Sequence, residues 1–236
     1  MTALPIGAGR RRTPRVALVG PDGAGKSTLS TMLEDASLPF RVKRIYMGIN
    51  LESSSLMLPT TLLLLAVKRA RGRRPDLSAG AASTTVVARR MPADAARELT
   101  RLAVWVLEEW LRQAVAGWYS MRGFVVVFDR HFLADYYPAA PGNRNGTGLF
   151  QRPHGWLLSH AYPKPDLVIC LDAPGEVLHA RKGEASAEWL ERRRGDYLAL
   201  RSAVPALSVV DVDRPLEDVF TDVVQTITSH WRAATS

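Results

Sequence analysis

The sequence of 236 residues has one cysteine, no long uninterrupted apolar run and no histidines at metal-binding spacing. Cys170 lies inside the apolar run of residues 167–171, so no disulfide framework can form and a buried, inert thiol is expected. The apolar stretch of residues 56–67 is interrupted by Pro59 and is far shorter than the ~20 residues of a membrane-spanning helix. These absences argue against a secreted disulfide scaffold, a transmembrane protein and a zinc protein, and they favour a cytoplasmic location.

Positive charge, in contrast, is abundant. The formal net charge is +8 and the isoelectric point is near 10.0, mostly because of arginine, which suits nucleotides, nucleic acid or an acidic membrane surface. The 47% of hydrophobic residues suffice for a sizeable core, and we expect one domain over residues 15–236. Residues 1–14 are basic but lack the apolar core and cleavage site of a signal peptide, so a flexible leader is expected there.

A phosphate-binding loop is the strongest motif in the chain. Residues 20–28 read Gly-Pro-Asp-Gly-Ala-Gly-Lys-Ser-Thr, directly after the apolar run of residues 16–19 and before a helical pattern. Glycines allow the backbone to turn tightly and to aim its N–H groups at phosphate oxygens. Lys26 would face the β- and γ-phosphates of ATP, and the Ser27 hydroxyl would hold Mg²⁺. The residues expected to bind the nucleotide are Gly20, Asp22, Gly23, Ala24, Gly25, Lys26, Ser27 and Thr28.

Strand and helix patterns alternate along the chain. Continuous apolar runs, which are typical of strands buried on both faces, lie at residues 16–19, 42–47, 124–128, 167–171 and 207–212. Helical spacing lies at residues 26–35, 93–119, 175–181, 187–203 and 215–231. This alternation predicts an α/β protein with a five-stranded parallel sheet and helices on both faces.

A second site is expected at the end of the third strand, where Asp129 and Arg130 follow residues 124–128. Ligands of open α/β sheets collect at the carboxyl ends of the strands. A carboxylate there can hold Mg²⁺ or its waters, and an arginine can clamp a phosphate. The alternative is an ion pair with a purely structural role.

The two motifs together resemble those of the thymidylate kinase family of nucleoside monophosphate kinases. The similar segments are the loop of residues 20–28, Phe-Asp-Arg-His at 128–131 and Pro-Asp-Leu-Val-Ile-Cys-Leu-Asp-Ala-Pro at 165–174. The resemblance implies the P-loop NTPase fold. It also implies ATP and Mg²⁺ as cofactors, a small-molecule phosphate acceptor such as dTMP, and a homodimer. It also implies that Asp22 contacts the acceptor's sugar and that Arg130 binds the acceptor's phosphate.

A small lid over about residues 181–195 is a further implication of the resemblance. One subtype of the family lacks an arginine in the loop and supplies it from the lid, and this chain has Ala24 at the loop position. A cation that arrives as water is excluded would stabilise the transferred phosphoryl group. The candidates are Arg181 and Lys182, followed by Arg192 and Arg194. The alternative for each is a solvated helix face that pairs with nearby glutamates.

The acceptor side departs from the family. The second strand leads to Tyr-Met-Gly-Ile-Asn instead of an Arg-Glu-Pro-Gly type of segment, and Glu108 and Glu109 lie where an acceptor-binding arginine is expected. The Asp-Arg pair is followed by Asp-Tyr-Tyr-Pro at 135–138 instead of an Ala-Tyr-Gln-like segment. The acceptor therefore stays open between a nucleotide such as dTMP and another phosphorylated or hydroxylated metabolite.

Residues 48–91 are expected to form an atypical helical or loop insertion. Its stretch 56–74 joins apolar residues to the basic run 68–74, which could contact an acidic partner or the membrane surface, although a solvated charged face is commoner. This insertion supports the alternative function of a nucleotide-binding regulatory or assembly protein with weak or no kinase activity. Nucleic-acid binding is disfavoured because no stacking platform is visible.

Glu34 and Asp35, at the end of the first helix, are expected to face solvent.

Overall fold

The computed structural model describes residues 12–47, 92–129, 162–202 and 204–235, and only the backbone of residues 92–102, 104 and 105. Three predicted features lie outside this range: Arg130, the insertion of residues 48–91 with its stretch 56–74, and residues 1–11 of the leader.

The leader was expected to extend to residue 14, but Thr13 is buried and its hydroxyl donates to the carbonyl of Ser120. The anchored chain thus begins before residue 15.

Five strands and five α-helices make up the described part of the chain. The strands are β1 (Arg15–Val19), β2 (Arg41–Tyr46), β3 (Phe124–Asp129), β4 (Leu167–Asp172) and β5 (Leu207–Asp211). The helices are α1 (Lys26–Asp35), α2 (Pro92–Met121), α3 (Gly175–Lys182), α4 (Ala187–Leu198) and α5 (Leu216–Thr235), with a 3₁₀ turn at Ala199–Ser202.

All the strands form one parallel sheet in the order β2-β3-β1-β4-β5. The central strand β1 pairs with β3, where Leu18 lies opposite Asp129, and with β4, where Val19 lies opposite Cys170. The prediction of a five-stranded parallel sheet is confirmed. Because β1 and β3 are neighbours, the loop after β1 and the acidic end of β3 lie at the same edge of the sheet.

The two faces of the sheet bury separate apolar clusters, because alternate side chains of each strand point to opposite faces. Val16 and Leu18 pack in a cluster that includes residues of α1 and α5. Ala17 and Val19 pack in a second cluster, which includes Ala116 of α2. Helices therefore cover both faces, as the sequence predicted.

The helix predicted over residues 187–203 is shorter in the structure. Its α-helical part ends at Leu198, and a 3₁₀ turn follows up to Ser202, because Pro205 comes soon after and a helix ends before a proline.

Cys170 is buried, and burial raises the pKa of its thiol to about 12, in agreement with the expected inert side chain. Among the helices that the structure describes, none is both long and apolar enough to cross a membrane.

Candidate active site

The loop between β1 and α1 is built around glycines that no other residue could replace without a shift. Gly20 has φ of 146°, and a Cβ at this residue would lie 2.5 Å from the carbonyl oxygen of Leu171, at the end of β4. Gly23 has φ of 89°, and its Cβ would lie 2.8 Å from the carbonyl oxygen of Leu178 in α3. The loop thus fits tightly between β4 and α3, which fixes its path.

Helix α1 begins directly after the loop. Gly25 precedes its first residue in the left-handed conformation, and no side chain caps the helix at this end. The first N–H groups of a helix have no partner within it, and they carry the positive end of the helix dipole. The start of α1 is therefore suited to bind phosphate through its backbone.

Lys26 reaches back over the loop. Its side chain is buried, and Nζ donates to the carbonyl oxygens of Gly20 and Pro21 at 2.7 Å each. The ammonium group is held at the concave side of the loop by these two carbonyls. This position is the one from which a lysine can reach the phosphates of a nucleotide on the loop.

Asp129, at the end of β3, is a buried carboxylate whose two oxygens have different surroundings. Oδ2 accepts a hydrogen bond from the Ser30 hydroxyl at 3.2 Å and lies 3.8 Å from Nη1 of Arg44. Oδ1 is buried and has no hydrogen-bond partner among the described residues. A buried carboxylate oxygen that lacks a partner is costly unless it binds something, and Mg²⁺ or its water would satisfy it.

The other predicted loop residues line the same turn. Ala24 is buried, Asp22 is half-buried, and Ser27 and Thr28 are exposed in the first turn of α1. Ser27 is linked to Asp129 through Ser30, whose hydroxyl also lies 3.0 Å from the Ser27 carbonyl oxygen. The structure therefore brings together the predicted donor loop and one half of the Asp-Arg pair, while Arg130 lies outside the described residues.

The predicted lid is a helical hairpin formed by α3 and α4. The two helices pack closely at Gly175, where a Cβ would lie 2.4 Å from the carbonyl oxygen of Ala187. The backbone N–H of Gly175 donates to Glu191, and the hydroxyl of Ser186 caps the start of α4. These contacts hold the hairpin as one unit next to the end of β4.

One arginine of the hairpin is tied to the sheet. Arg194 donates to both carboxylate oxygens of Asp172, at 2.6 and 2.9 Å, and its third nitrogen donates to Glu191 at 2.8 Å. Asp172, followed by Glu191, raises the pKa of Arg194 through these hydrogen bonds. Arg194 therefore anchors the hairpin in this conformation.

The three other lid cations make contacts away from Lys26. Arg181 donates to the carbonyl oxygen of Val212 at 2.8 Å, and Lys182 pairs with Glu184 at 2.9 Å. Arg192 is exposed on α4, one turn after Glu188. Arg181, Lys182 and Arg192 therefore all lie on the hairpin, and their contacts do not identify which of them would stabilise the transferred phosphoryl group.

Several polar residues near these sites were missed in the sequence. Glu34, expected to face solvent, is a half-buried bridge from α1 to Lys43 and Arg44 of β2. Burial alone would raise the pKa of Glu34, but the hydrogen bond and charge of Lys43 lower it below its ordinary value. Arg112 of α2 is buried and donates to the carbonyl oxygen of Met47, just after β2.

An open groove of about 800 Å³ lies elsewhere, between β5 and α5. Its lining includes the ion pair of Arg214 and Asp222 but none of the site residues predicted from the sequence. The carboxyl edge of the sheet, and not this groove, holds the arrangement suited to phosphate chemistry.

Comparison with known proteins identifies the fold. No model of a protein family matches the sequence. A solved structure of thymidylate kinase from Candida albicans, a protein described as having broad substrate specificity, matches with a TM-score of 0.58 and 18% identity, over 95% of this chain and 94% of that one. The protein thus has the P-loop NTPase fold in the form seen in thymidylate kinase.

Proposed function

We propose that the protein is an ATP-dependent phosphotransferase that moves the γ-phosphoryl group of ATP to a small acceptor, with a nucleoside monophosphate such as dTMP as the first candidate. The observation that carries this proposal is the glycine loop around buried Lys26, beside the buried carboxylate of Asp129. The fold shared with thymidylate kinase supports it.

On the donor side, the backbone N–H groups at the start of α1 would bind phosphate oxygens, and Lys26 would exchange its bonds to the loop carbonyls for bonds to the β- and γ-phosphates. Ser27 and Asp129 would hold Mg²⁺. The protein oxygen that fits it best is Oδ1 of Asp129, which has no hydrogen-bond partner within the described ranges. When bound, the metal neutralises charge on the phosphates. Positioning and electrostatics suffice for this reaction, so no covalent enzyme intermediate is required.

On the acceptor side, Arg130 would bind the acceptor's phosphate and Asp22 its sugar, as the family resemblance implies. Arg112 adds a buried cation at the end of β2, next to β3, which leads into Arg130. Buried Glu108, 3.6 Å from Arg112, balances its charge, so Arg130 is the cation that this proposal assigns to the acceptor. For the transferred phosphoryl group, the hairpin offers Arg181, Lys182 and Arg192, of which Arg192 is exposed and needs to break no hydrogen bond of the kind that holds Arg194.

Transfer of label separates this function from that of a nucleotide-binding regulatory or assembly protein. The purified protein is incubated with γ-labelled ATP and Mg²⁺ in the presence of a panel of nucleotides, nucleosides and sugars. We expect label to appear in at least one acceptor, and most strongly in a nucleoside monophosphate. If a sugar is labelled and the nucleotides are not, the proposed phosphotransferase activity stands and the acceptor is a sugar instead of a nucleotide.

The contrary result is equally clear. If ATP binds, yet label appears only as free phosphate or stays in ATP, the kinase proposal fails and the regulatory alternative replaces it. The contact of residues 56–74 with a membrane surface belongs to that alternative, and vesicles with and without anionic lipid would test it in the same preparation.

We further propose that the chain forms a homodimer, as the family resemblance implies, and that it does so through α2. This helix exposes a stripe of uncharged residues, formed by Leu107, Trp110, Ala114, Trp118 and Met121, with the Arg122 guanidinium over the Trp118 ring at one end. The stripe extends over about 21 Å of helix. Apolar patches of this kind often mark protein interfaces.

The stripe is complementary to itself. Trp110 and Trp118 lie four positions on either side of Ala114, and Leu107 and Met121 lie seven positions on either side. A two-fold axis through Ala114 would place two α2 helices antiparallel, with Trp110 of one chain against Trp118 of the other and with the small alanines at the crossing point. Such a self-matching patch is what a symmetric dimer interface requires.

Crosslinking tests this arrangement. Cys170 is the single cysteine of the sequence and is buried, so Ala114→Cys introduces an accessible thiol. Mild oxidation of this variant should convert the protein to covalent dimers. Leu107→Cys and Met121→Cys should crosslink when mixed but not separately. Thr221→Cys, on the exposed side of α5, serves as the control that should not crosslink. A monomeric mass by light scattering together with no Ala114→Cys dimer would refute the interface.

A further inference from the structure

Ser30 occupies an unusual place for a helical serine. It lies in α1, one turn after Ser27, and its side chain is 0% exposed. Its Oγ lies 3.0 Å from the Ser27 carbonyl oxygen and 3.2 Å from Oδ2 of Asp129, a residue 99 positions away in the chain. This single hydroxyl therefore touches both segments that carry the proposed metal-holding groups.

The hydroxyl has one proton for these two acceptors. A helical serine can donate to a carbonyl in the preceding turn without any further role. An ionised carboxylate, in contrast, only accepts, and hydrogen bonds to charged acceptors are stronger than those to neutral carbonyls. The contact with Asp129 is therefore the one that would hold the proton, and the Ser27 carbonyl lies within reach on the other side.

Both described contacts of the Asp129 carboxylate lie on the same oxygen. Ser30 donates to Oδ2, and Nη1 of Arg44 lies 3.8 Å from that oxygen. Arg44 is itself held by Glu34 of α1, at 3.5 Å. With Oδ2 engaged from two sides, the carboxylate is oriented so that Oδ1, which has no hydrogen-bond partner among the described residues, is the oxygen left to bind a ligand.

We propose that Ser30 is a positioning residue of the metal site. Its hydroxyl fixes the Asp129 carboxylate relative to the first turn of α1, which carries Ser27, and so sets the distance between the two groups that would hold Mg²⁺. This inference rests on the proposed function, in which Asp129 helps to bind the metal. Loss of a hydrogen bond that orients a ligand typically weakens metal binding 10- to 100-fold, about tenfold being expected for a neutral hydroxyl.

A matched pair of variants tests the inference. Ser30→Ala removes the hydroxyl that contacts Asp129. Thr31→Ala removes an exposed hydroxyl that donates to the Ser27 carbonyl oxygen at 2.9 Å and has no described contact with Asp129. Binding of Mn²⁺ is measured in the presence of ADP from the electron paramagnetic resonance signal of the free ion. ADP affinity without metal is measured in parallel.

We expect Ser30→Ala to weaken Mn²⁺ binding about tenfold and Thr31→Ala to leave it within a factor of about two, both with unchanged affinity for metal-free ADP. Equal effects of the two variants on Mn²⁺, or a loss of metal-free ADP binding in Ser30→Ala, would overturn the inference. Asp129→Asn distinguishes a failure of the role of Ser30 from a failure of the metal assignment to Asp129. If Asp129→Asn weakens Mn²⁺ binding while Ser30→Ala does not, only the role of Ser30 fails. If Asp129→Asn has no effect, the metal assignment within the proposed function fails as well.

Discussion

Replacement of Lys26 by alanine is expected to lower phosphoryl transfer by about a thousandfold, the loss typical when one preorganised donor to a developing charge is removed. The ammonium group is buried against the loop, where it would exchange its bonds to the carbonyls of Gly20 and Pro21, at 2.7 Å each, for bonds to the phosphates. The rate with the acceptor found in the labelling panel is the primary measurement. The affinity for Mg²⁺-ATP, by fluorescence of a labelled analogue, is the second.

Lys26→Met separates charge from packing in this experiment. Methionine retains an unbranched side chain of similar length at the buried site, so the stem of the lysine is replaced while its charge is lost. We expect Lys26→Met to be as inactive as Lys26→Ala. Arg214→Ala, which also removes one positive charge but breaks only exposed contacts with Asp222 and with the carbonyl oxygen of Asp211, should retain full activity. Activity of Lys26→Met near that of the unmodified protein would remove Lys26 from the site.

The sheet and the loop could be predicted because local sequence determines them. Strand β4, for example, is a continuous apolar run, and its side chains are removed from water only when both faces of the strand are covered. The loop is determined in the same way, since the glycines, Lys26 and the start of α1 lie within a few residues of one another. In both cases the contacts that matter are encoded within a short window.

The side-chain partners could not be predicted, because they depend on which elements become neighbours. Glu34 was expected to face solvent, yet β2 lies beside α1 and supplies Lys43 at 2.7 Å. Arg194 was considered a lid cation, but the packing of α4 on the sheet brings it to Asp172, 22 positions earlier. A list of charged residues in the hairpin does not distinguish an anchor from a cation that can move. The identity of the lid cation therefore stays a prediction.

A change at Gly20 should have the other large effect, in this case on stability and nucleotide binding together. In Gly20→Ala the new Cβ would lie 2.5 Å from the carbonyl oxygen of Leu171, at a φ of 146° that residues with a side chain rarely adopt. The carbonyl oxygen is a backbone atom and a Cβ has no rotamer by which it could turn away, so relief requires the loop or the end of β4 to move. We expect a loss of about 2–4 kcal/mol in the free energy of unfolding.

Gly195→Ala is the matched control, because it adds the same methyl group where nothing opposes it. Gly195 lies inside α4, and its Cβ would meet no atom within 4 Å. Alanine in a helix is favoured over glycine, so this variant should gain about 0.5–1 kcal/mol. Thermal unfolding should then show Gly20→Ala well below the unmodified protein and Gly195→Ala slightly above it.

Nucleotide binding links the stability effect of Gly20 to the site. The same movement that relieves the contact with Leu171 displaces the carbonyl of Gly20, which is one of the two that hold Lys26. We therefore expect ATP affinity to fall at least about tenfold in Gly20→Ala, even at temperatures where the variant is fully folded. A folded Gly20→Ala protein with normal ATP affinity would mean that the tight fit between the loop and β4 supports the fold alone, and that the phosphate site tolerates a displaced loop.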